Sequence, residues 1–290
     1  MTQNFRGALL MMICMGAFVL NDAFVRLAGN SLPLAQILFL RGLLTTFILL
    51  MVAIYSGAFK IVIAKADRWR IFFRSIAEAL TAYFFLTAVM NMPFANVTAI
   101  LQTLPMTVTL AAALLFKEKV GIVRISLILF GFFGVILIIN PTADGFNIYA
   151  IYALIAVFLI TLRDLITRKL SSKVPTLLPT VSASVGVLLF SVFLLMNEPF
   201  QPLNTQNILF IFLAAFFIIF GYYTAVLVMR SGEISFISPF RYSAILFALI
   251  LGLVFFDEKP DITAFLGIVV VMLAGIVLVM RNNAVHKYHK

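Results

Sequence analysis

Residues 114–139, LLFKEKVGIVRISLILFGFFGVILII, return in altered form at 253–279 as LVFFDEKPDITAFLGIVVVMLAGIVLV. The tetrapeptide Phe116–Lys119 (FKEK) matches Phe256–Lys259 (FDEK) at an offset near 140, and Tyr83 stands opposite Tyr223 at that same offset. Asp22 and Arg26 match Asp164 and Arg168 at an offset of 142. One tetrapeptide echo is weak, but a spacing kept at several points along two half-chains predicts a duplicated unit. What each unit contains depends on the solvent around it.

The chain has 290 residues, of which 63% are hydrophobic and only 11% charged, whereas a soluble domain carries about 25% charged residues. Mean hydropathy is +1.14. A soluble core has no room for so much apolar surface, and lipid is the solvent that accepts it. Ten runs reach the roughly 20 residues that cross a bilayer as helix: 6–27, 33–56, 71–91, 95–116, 121–139, 147–168, 176–196, 206–229, 235–256 and 262–280. Pro93 in NMPFAN (91–96) separates the third from the fourth, because proline lacks an N–H and disturbs the preceding turn. The runs are too long for barrel strands and lack a two-residue alternation. The first run is too long for a signal peptide and lacks a cleavage-like site, so it reads as a retained helix. The prediction is an all-α integral membrane protein of ten transmembrane helices in two five-helix repeats. The first repeat is 1–140; the second is 141–290, ending in a short basic tail.

Charge orients the spans. Formal net charge is +10, but the basic residues sit in short gaps between apolar runs, which suits an anionic membrane face and not nucleic acid. Arg6, Lys60, Lys65, Arg68, Arg70, Arg74, Lys117, Lys119, Arg124, Arg168, Lys169, Lys173, Arg230, Arg281, Lys287 and Lys290 all fall on one side. Lys259 alone falls on the other, among Asp144, Glu198, Asp257, Glu258 and Asp261. The positive-inside rule then puts both termini in the cytoplasm, with the chain in the cytoplasmic (inner) membrane. Five helices per unit is an odd number, so the second repeat enters from the opposite side and the two are inverted. The single cysteine, Cys14, has no internal disulfide partner, and both histidines lie in the tail. No metal site and no cofactor are expected, and no Walker-type loop is present to use ATP.

Polar residues inside spans are the candidate site, since a charge in hydrocarbon usually faces a cavity, a partner or an interface. In SPFRYSAILFALILG (238–252), Ser238, Arg241, Tyr242 and Ile245 fall at i, i+3, i+4 and i+7, one mostly polar stripe on an expected helix. In span four, Thr98, Gln102, Pro105 and Thr109 share a face. Arg241 offers only donors and Gln102 both a donor and an acceptor, so symmetric backbones here carry unlike chemistry. Asp22 and Arg26, and again Asp164 and Arg168, stand at i, i+4 and read as neutralised pairs, with a proton or substrate role for the acids as the other reading. Asn21 is a ligand candidate. Arg41 and Glu78 lie in spans two and three at depths too different to expect them to pair. Tyr83, Tyr222 and Tyr223 offer aromatic faces with a polar handle, for stacking on cargo or for plain packing. Gly131, Gly134, Gly267 and Gly275 mark spans five and ten as closely packed scaffold and a possible homodimer contact.

On these residues the chain resembles the EamA-type branch of the drug/metabolite transporter superfamily over essentially its whole length. The stretch SPFRYSAILFALILGLVFFDEKPD is most similar to members that move riboflavin or S-adenosylmethionine. The resemblance implies a central cavity lined mainly by the first four helices of each repeat. It also implies a secondary transporter for a small polar or amphipathic metabolite, with Arg241 and Tyr242 at the family's P-[FY]-R-Y position. Importers and exporters, including exporters of amino acids, share that pattern. A channel would need a continuous polar path, and a membrane enzyme would need a catalytic cluster that this chain lacks. A structural or receptor-like protein is the third alternative.

Overall fold

The computed structural model describes residues 3–116, 121–139, 147–171, 173–196, 198–229 and 237–288. Lys117, Glu118 and Lys119 of the FKEK turn, Asp144, Arg230 and Lys290 lie outside these residues, as do the side chains of Arg124, Arg168, Ser238, Arg281 and Lys287. The helices are α1 (Gln3–Gly29), α2 (Leu34–Tyr55), α3 (Lys65–Asn91), α4 (Phe94–Leu101), α5 (Leu104–Phe116) and α6 (Ile122–Ile139). They continue with α7 (Ile148–Arg168), α8 (Leu177–Leu195), α9 (Thr205–Met229), α10 (Ser243–Phe256) and α11 (Ile262–Tyr288). A 3-10 turn, Ser238–Tyr242, leads into α10. Among the described residues nine stretches are long and apolar enough to cross a membrane, and α6 supplies a shorter apolar helix in the place of span five. The ten expected spans are thus present.

Two spans are not continuous. Span four breaks at Gln102 and Thr103 into α4 and α5, where Pro105 cannot donate back into the preceding turn. At the equivalent place in the second repeat, offset 140, the 3-10 turn gives way to α10 between Tyr242 and Ser243. The expected single faces of Thr98–Thr109 and Ser238–Ile245 are therefore corrected. A 3-10 segment turns once in 3.0 residues, not 3.6, so Tyr242 swings away from Arg241.

The packing is that of two inverted repeats. α1 lies along α9 and α3 along α7, and these two pairings exchange when the repeats are exchanged. α2 packs on its own equivalent α8, and α6 on its own equivalent α11. The turn at 30–33, Pro93, the segment 198–204 and the turn at 257–261 gather at one end of the bundle, the acidic end. The basic loops at 56–64 and 173–176 gather at the other. Pro33 starts α2 in an extended conformation, and Gly57, at φ 69°, follows its far end in the left-handed region that glycine enters freely. Phe47, Leu129, Phe158 and Leu189 stand exposed on outward faces, a surface suited to lipid tails. The core joins both repeats, with Phe94, Ile100, Tyr242, Ile245 and Val271 buried in one cluster.

The expected scaffold glycines close on each other within the chain. A Cβ on Gly134 would stand 2.9 Å from the Gly267 carbonyl oxygen, and one on Gly267 would stand 2.6 Å from that of Gly134. Gly131 faces Met106, and Gly275 faces the Tyr242 ring. Gly267→Ala therefore has to push the backbones of α6 and α11 away from each other. Its expected cost is about 1–3 kcal/mol, the usual range for overpacking. A thermal melt of the detergent-purified protein checks it, with Gly121→Ala as the uncrowded reference because no described atom lies within 4 Å of a Cβ there.

Candidate functional site

Between the repeats lies a cavity of about 300 Å³, at the small end of the range for metabolite pockets. Its wall is drawn in pairs related by the repeat. At offset 142 these are Phe18 with Ile160, Asn21 with Arg163, Arg41 with Ala183, Gly42 with Ser184 and Thr45 with Val187. At offset 140 they are Glu78 with Ile218, Ala82 with Tyr222, Leu101 with Arg241 and Leu104 with Ala244. The backbone is symmetric and the chemistry is not: Arg41, Glu78 and Arg241 each stand opposite an uncharged equivalent.

The polar groups form two hydrogen-bonded clusters. In the first, Arg41 donates from Nη1 to Asn21 Oδ1 at 2.9 Å, and Asn21 donates from Nδ2 to Asp22 Oδ1 at 2.8 Å. In the second, Arg163 donates from Nη1 to Glu78 Oε2 at 2.9 Å and from Nη2 to Asp164 Oδ1 at 2.8 Å. Thr46 and Ser184 share a hydrogen bond of 2.6 Å across the seam between α2 and α8. Among the described residues, three buried atoms of lining residues have no hydrogen-bond partner: Thr81 Oγ1, Gln102 Oε1 and Arg241 Nε. Gln102 Oε1 is an acceptor, the Thr81 hydroxyl can donate or accept, and Arg241 Nε is a cationic donor, an arrangement suited to a molecule with polar groups of both kinds. Tyr222 supplies an aromatic wall, edge-on to Phe18 with ring centroids 5.8 Å apart.

Of the residues singled out from sequence, Asn21, Asp22, Arg41, Glu78, Thr98, Gln102, Tyr222 and Arg241 line this cavity. Pro105, Tyr83, Tyr223, Asp164 and Tyr242 do not. Tyr223 is 63% exposed, beside an outward apolar groove between α2 and α9. Tyr83 packs edge-on against Phe84 and Phe190, Tyr242 is buried against α11, and Pro105 follows the break in span four. Thr98 and Thr109 spend their hydroxyls on their own helices, donating to the carbonyls of Phe94 and Pro105.

The expected Asp22–Arg26 ion pair is also corrected. Asp164 pairs with Arg163, its neighbour in sequence, and the Arg168 side chain of the second expected pair lies outside the described residues. Arg26 turns from Asp22 to Glu258 in the other repeat, and its guanidinium carbon lies 4.3 Å from the centre of the Phe256 ring. A helix offers each residue one direction, and a partner on another element meets Arg26 there. Cys14 is a packed thiol, donating to the Gly221 carbonyl at 3.4 Å. Arg163 is the charged lining residue that sequence reading leaves out of the site. The symmetry carries the signal, because offset 142 pairs it with Asn21.

Ten spans in inverted repeats, with charges gathered at their shared interface, define a helical membrane transporter. The EamA-like transporter family model matches residues 5–140 and again 147–281, and the chain belongs to that family. It is a secondary transporter of small molecules across a membrane, and not an enzyme. The riboflavin transporter of Vibrio cholerae is 28% identical over 61% of this chain, and that match spans 59% of the relative's length. The pseudopaline exporter CntI of Pseudomonas aeruginosa is 21% identical over 94% of this chain and 95% of its own. The S-adenosylmethionine uptake transporter of Rickettsia prowazekii is 20% identical over 91% and 89%. A solved crystal structure shares the fold, with a TM-score of 0.63 at 15% identity over 95% of this chain and 97% of that one.

The second cluster predicts a ranking. Arg163→Met strands the carboxylates of Glu78 and Asp164 together, at a cost of about 3 kcal/mol, the low end for a broken buried pair. Glu78→Gln leaves Arg163 its bond to Asp164 and costs less. Melting temperature and membrane abundance of the two variants test the order.

Proposed function

We propose that the chain carries a small polar or amphipathic metabolite, of the riboflavin or S-adenosylmethionine kind, across the cytoplasmic membrane by alternating access to the central cavity. The observation that carries this reading is the buried Nε of Arg241 and the buried Oε1 of Gln102, both without a partner among the described residues on the wall of one cavity. Unmet polar groups at such depth cost stability, and a cargo with complementary groups returns that cost on binding. In this reading Arg241 and Gln102 orient the polar edge of the cargo, Tyr222 covers an apolar face, and Arg41, Asn21 and Asp22 complete the far wall. The names of the relatives support a small-metabolite cargo and include both uptake and export.

The orientation that fits is cytoplasmic for both termini and for the basic end. It rests on the distribution of lysine and arginine between the two sets of loops. An accessible tag placed at 56–64 should face the cytoplasm and one at 30–33 the outside; the reverse result overturns the topology.

Arg241→Lys and Arg241→Ala test the site in a transport assay corrected for surface abundance. Lysine keeps the charge and loses the planar fork of donors. The expected loss is about tenfold for lysine and more for alanine, since one charged hydrogen bond is worth about 1.5–3 kcal/mol. Wild-type rates for both at normal abundance remove Arg241 from the site. Cargo class is tested by thermal shift of the purified protein against flavins, nucleoside derivatives, amino acids and quaternary amines, because a bound ligand raises the melting temperature.

A further inference from the structure

The FDEK turn stands outside the cavity wall, yet it is tied to two helices that form it. Asp257 ends α10 in the left-handed region at φ 52°, a conformation aspartate tolerates better than most residues. The turn sends Glu258 back over the end of α10, where its N–H donates to the Gly252 carbonyl at 3.0 Å. From there one carboxylate serves two partners in the first repeat. Oε1 pairs with Arg26 of α1, and Oε2 accepts from the backbone N–H of Phe94 at 2.6 Å. Phe94 is the first residue of α4, so the second bond places a negative charge at a helix N-terminus, where orphan N–H groups favour it. Phe256 completes the assembly, with its ring beneath the Arg26 guanidinium and 5.5 Å from the ring of Phe94.

We propose that Glu258 is the latch that closes the cavity at the acidic end, and that it must release Arg26 and Phe94 together for that end to open. The inference rests on the reading of the cavity as the transport path. Three wall-forming helices, α1, α4 and α10, meet at this one carboxylate. Among the described residues, other bonds that join the repeats at this end are between neutral groups: Gln36 with the backbone of Gln201, Ser31 with Asn207, and Asn147 with the backbone of Asn91. Charge-assisted bonds are about twice as strong as neutral ones, so removing the Glu258 charge shifts the equilibrium between closed and open more than removing any of these.

Labelling of a cavity cysteine tests the latch without knowledge of the cargo. Ala244 lines the cavity, and Ala244→Cys is introduced with Cys14→Ser, so that a membrane-impermeant maleimide reports on position 244 alone. Reagent is applied to intact cells, which expose the side carrying the 257–261 turn in the orientation proposed above, and to inside-out vesicles. With Glu258 present, labelling is expected to be slow from cells and fast from vesicles. Glu258→Gln should raise the rate from cells about tenfold, the change that about 1.4 kcal/mol of lost closure produces. Equal rates from cells with and without Glu258→Gln, at equal surface abundance, overturn the latch while leaving the cavity reading intact. If Glu258→Gln fails to reach the surface, Arg26→Met replaces it, removing the ion pair while leaving the carboxylate its bond from the Phe94 N–H. A faster rate from cells than with Arg26 supports the latch, and an unchanged rate at equal surface abundance overturns it. No labelling from either side in any variant overturns the cavity reading, and the latch with it.

Discussion

A charge held in hydrocarbon costs at least about 2.5–3.5 kcal/mol on insertion scales, and the interior of this molecule is arranged around that cost. Arg41, Glu78 and Arg163 sit well inside their spans, and each turns away from lipid toward a partner on another helix. Because the partners come from different helices, those helices must converge, and the space they enclose is lined by both charged and aromatic side chains. The outward faces, freed of charge, carry phenylalanine and leucine to the bilayer. Lipid-facing surface and wet interior are two results of one constraint.

The same hydrocarbon requires backbone groups to be satisfied, which gives meaning to the two broken spans. Gln102 and Thr103 in one repeat, and Ser238–Tyr242 in the other, are the places where regular helix lapses. Both lapses adjoin the cavity, where irregular backbone meets polar side chains and not lipid. Inversion of the repeats brings them to the same interface. Gln102 and Arg241 thus arrive from opposite directions in the chain, and the duplicated scaffold presents unlike chemistry on its two halves.

Closure at the acidic end follows from the turn chemistry. A left-handed Asp257, a glycine at 252 and an acid at 258 put a carboxylate within reach of Arg26 on α1 and of the first N–H of α4. α6 and α11 are joined through Gly134 and Gly267, and among the described residues neither helix contributes to the cavity wall.

Sequence by itself determined the class of solvent, the ten spans, the duplication and the odd count that inverts it, because apolar run length and offset are properties of the linear chain. It also singled out most of the charged and amide residues that face the cavity, since such a group inside a span has few places to go. Local helix geometry determined too little beyond that. The i, i+4 spacing joined Asp22 to Arg26, but tertiary packing joined Arg26 to Glu258, more than two hundred residues away. The stripe through Arg241 and Tyr242 assumed 3.6 residues per turn, and a 3-10 turn sent Tyr242 to α11 and left Arg241 facing inward. Tyr83 and Tyr223 share an offset with each other, but the faces they occupy were decided by which helices lie beside α3 and α9. Periodicity states which residues share a face; only the packed neighbours decide what that face meets.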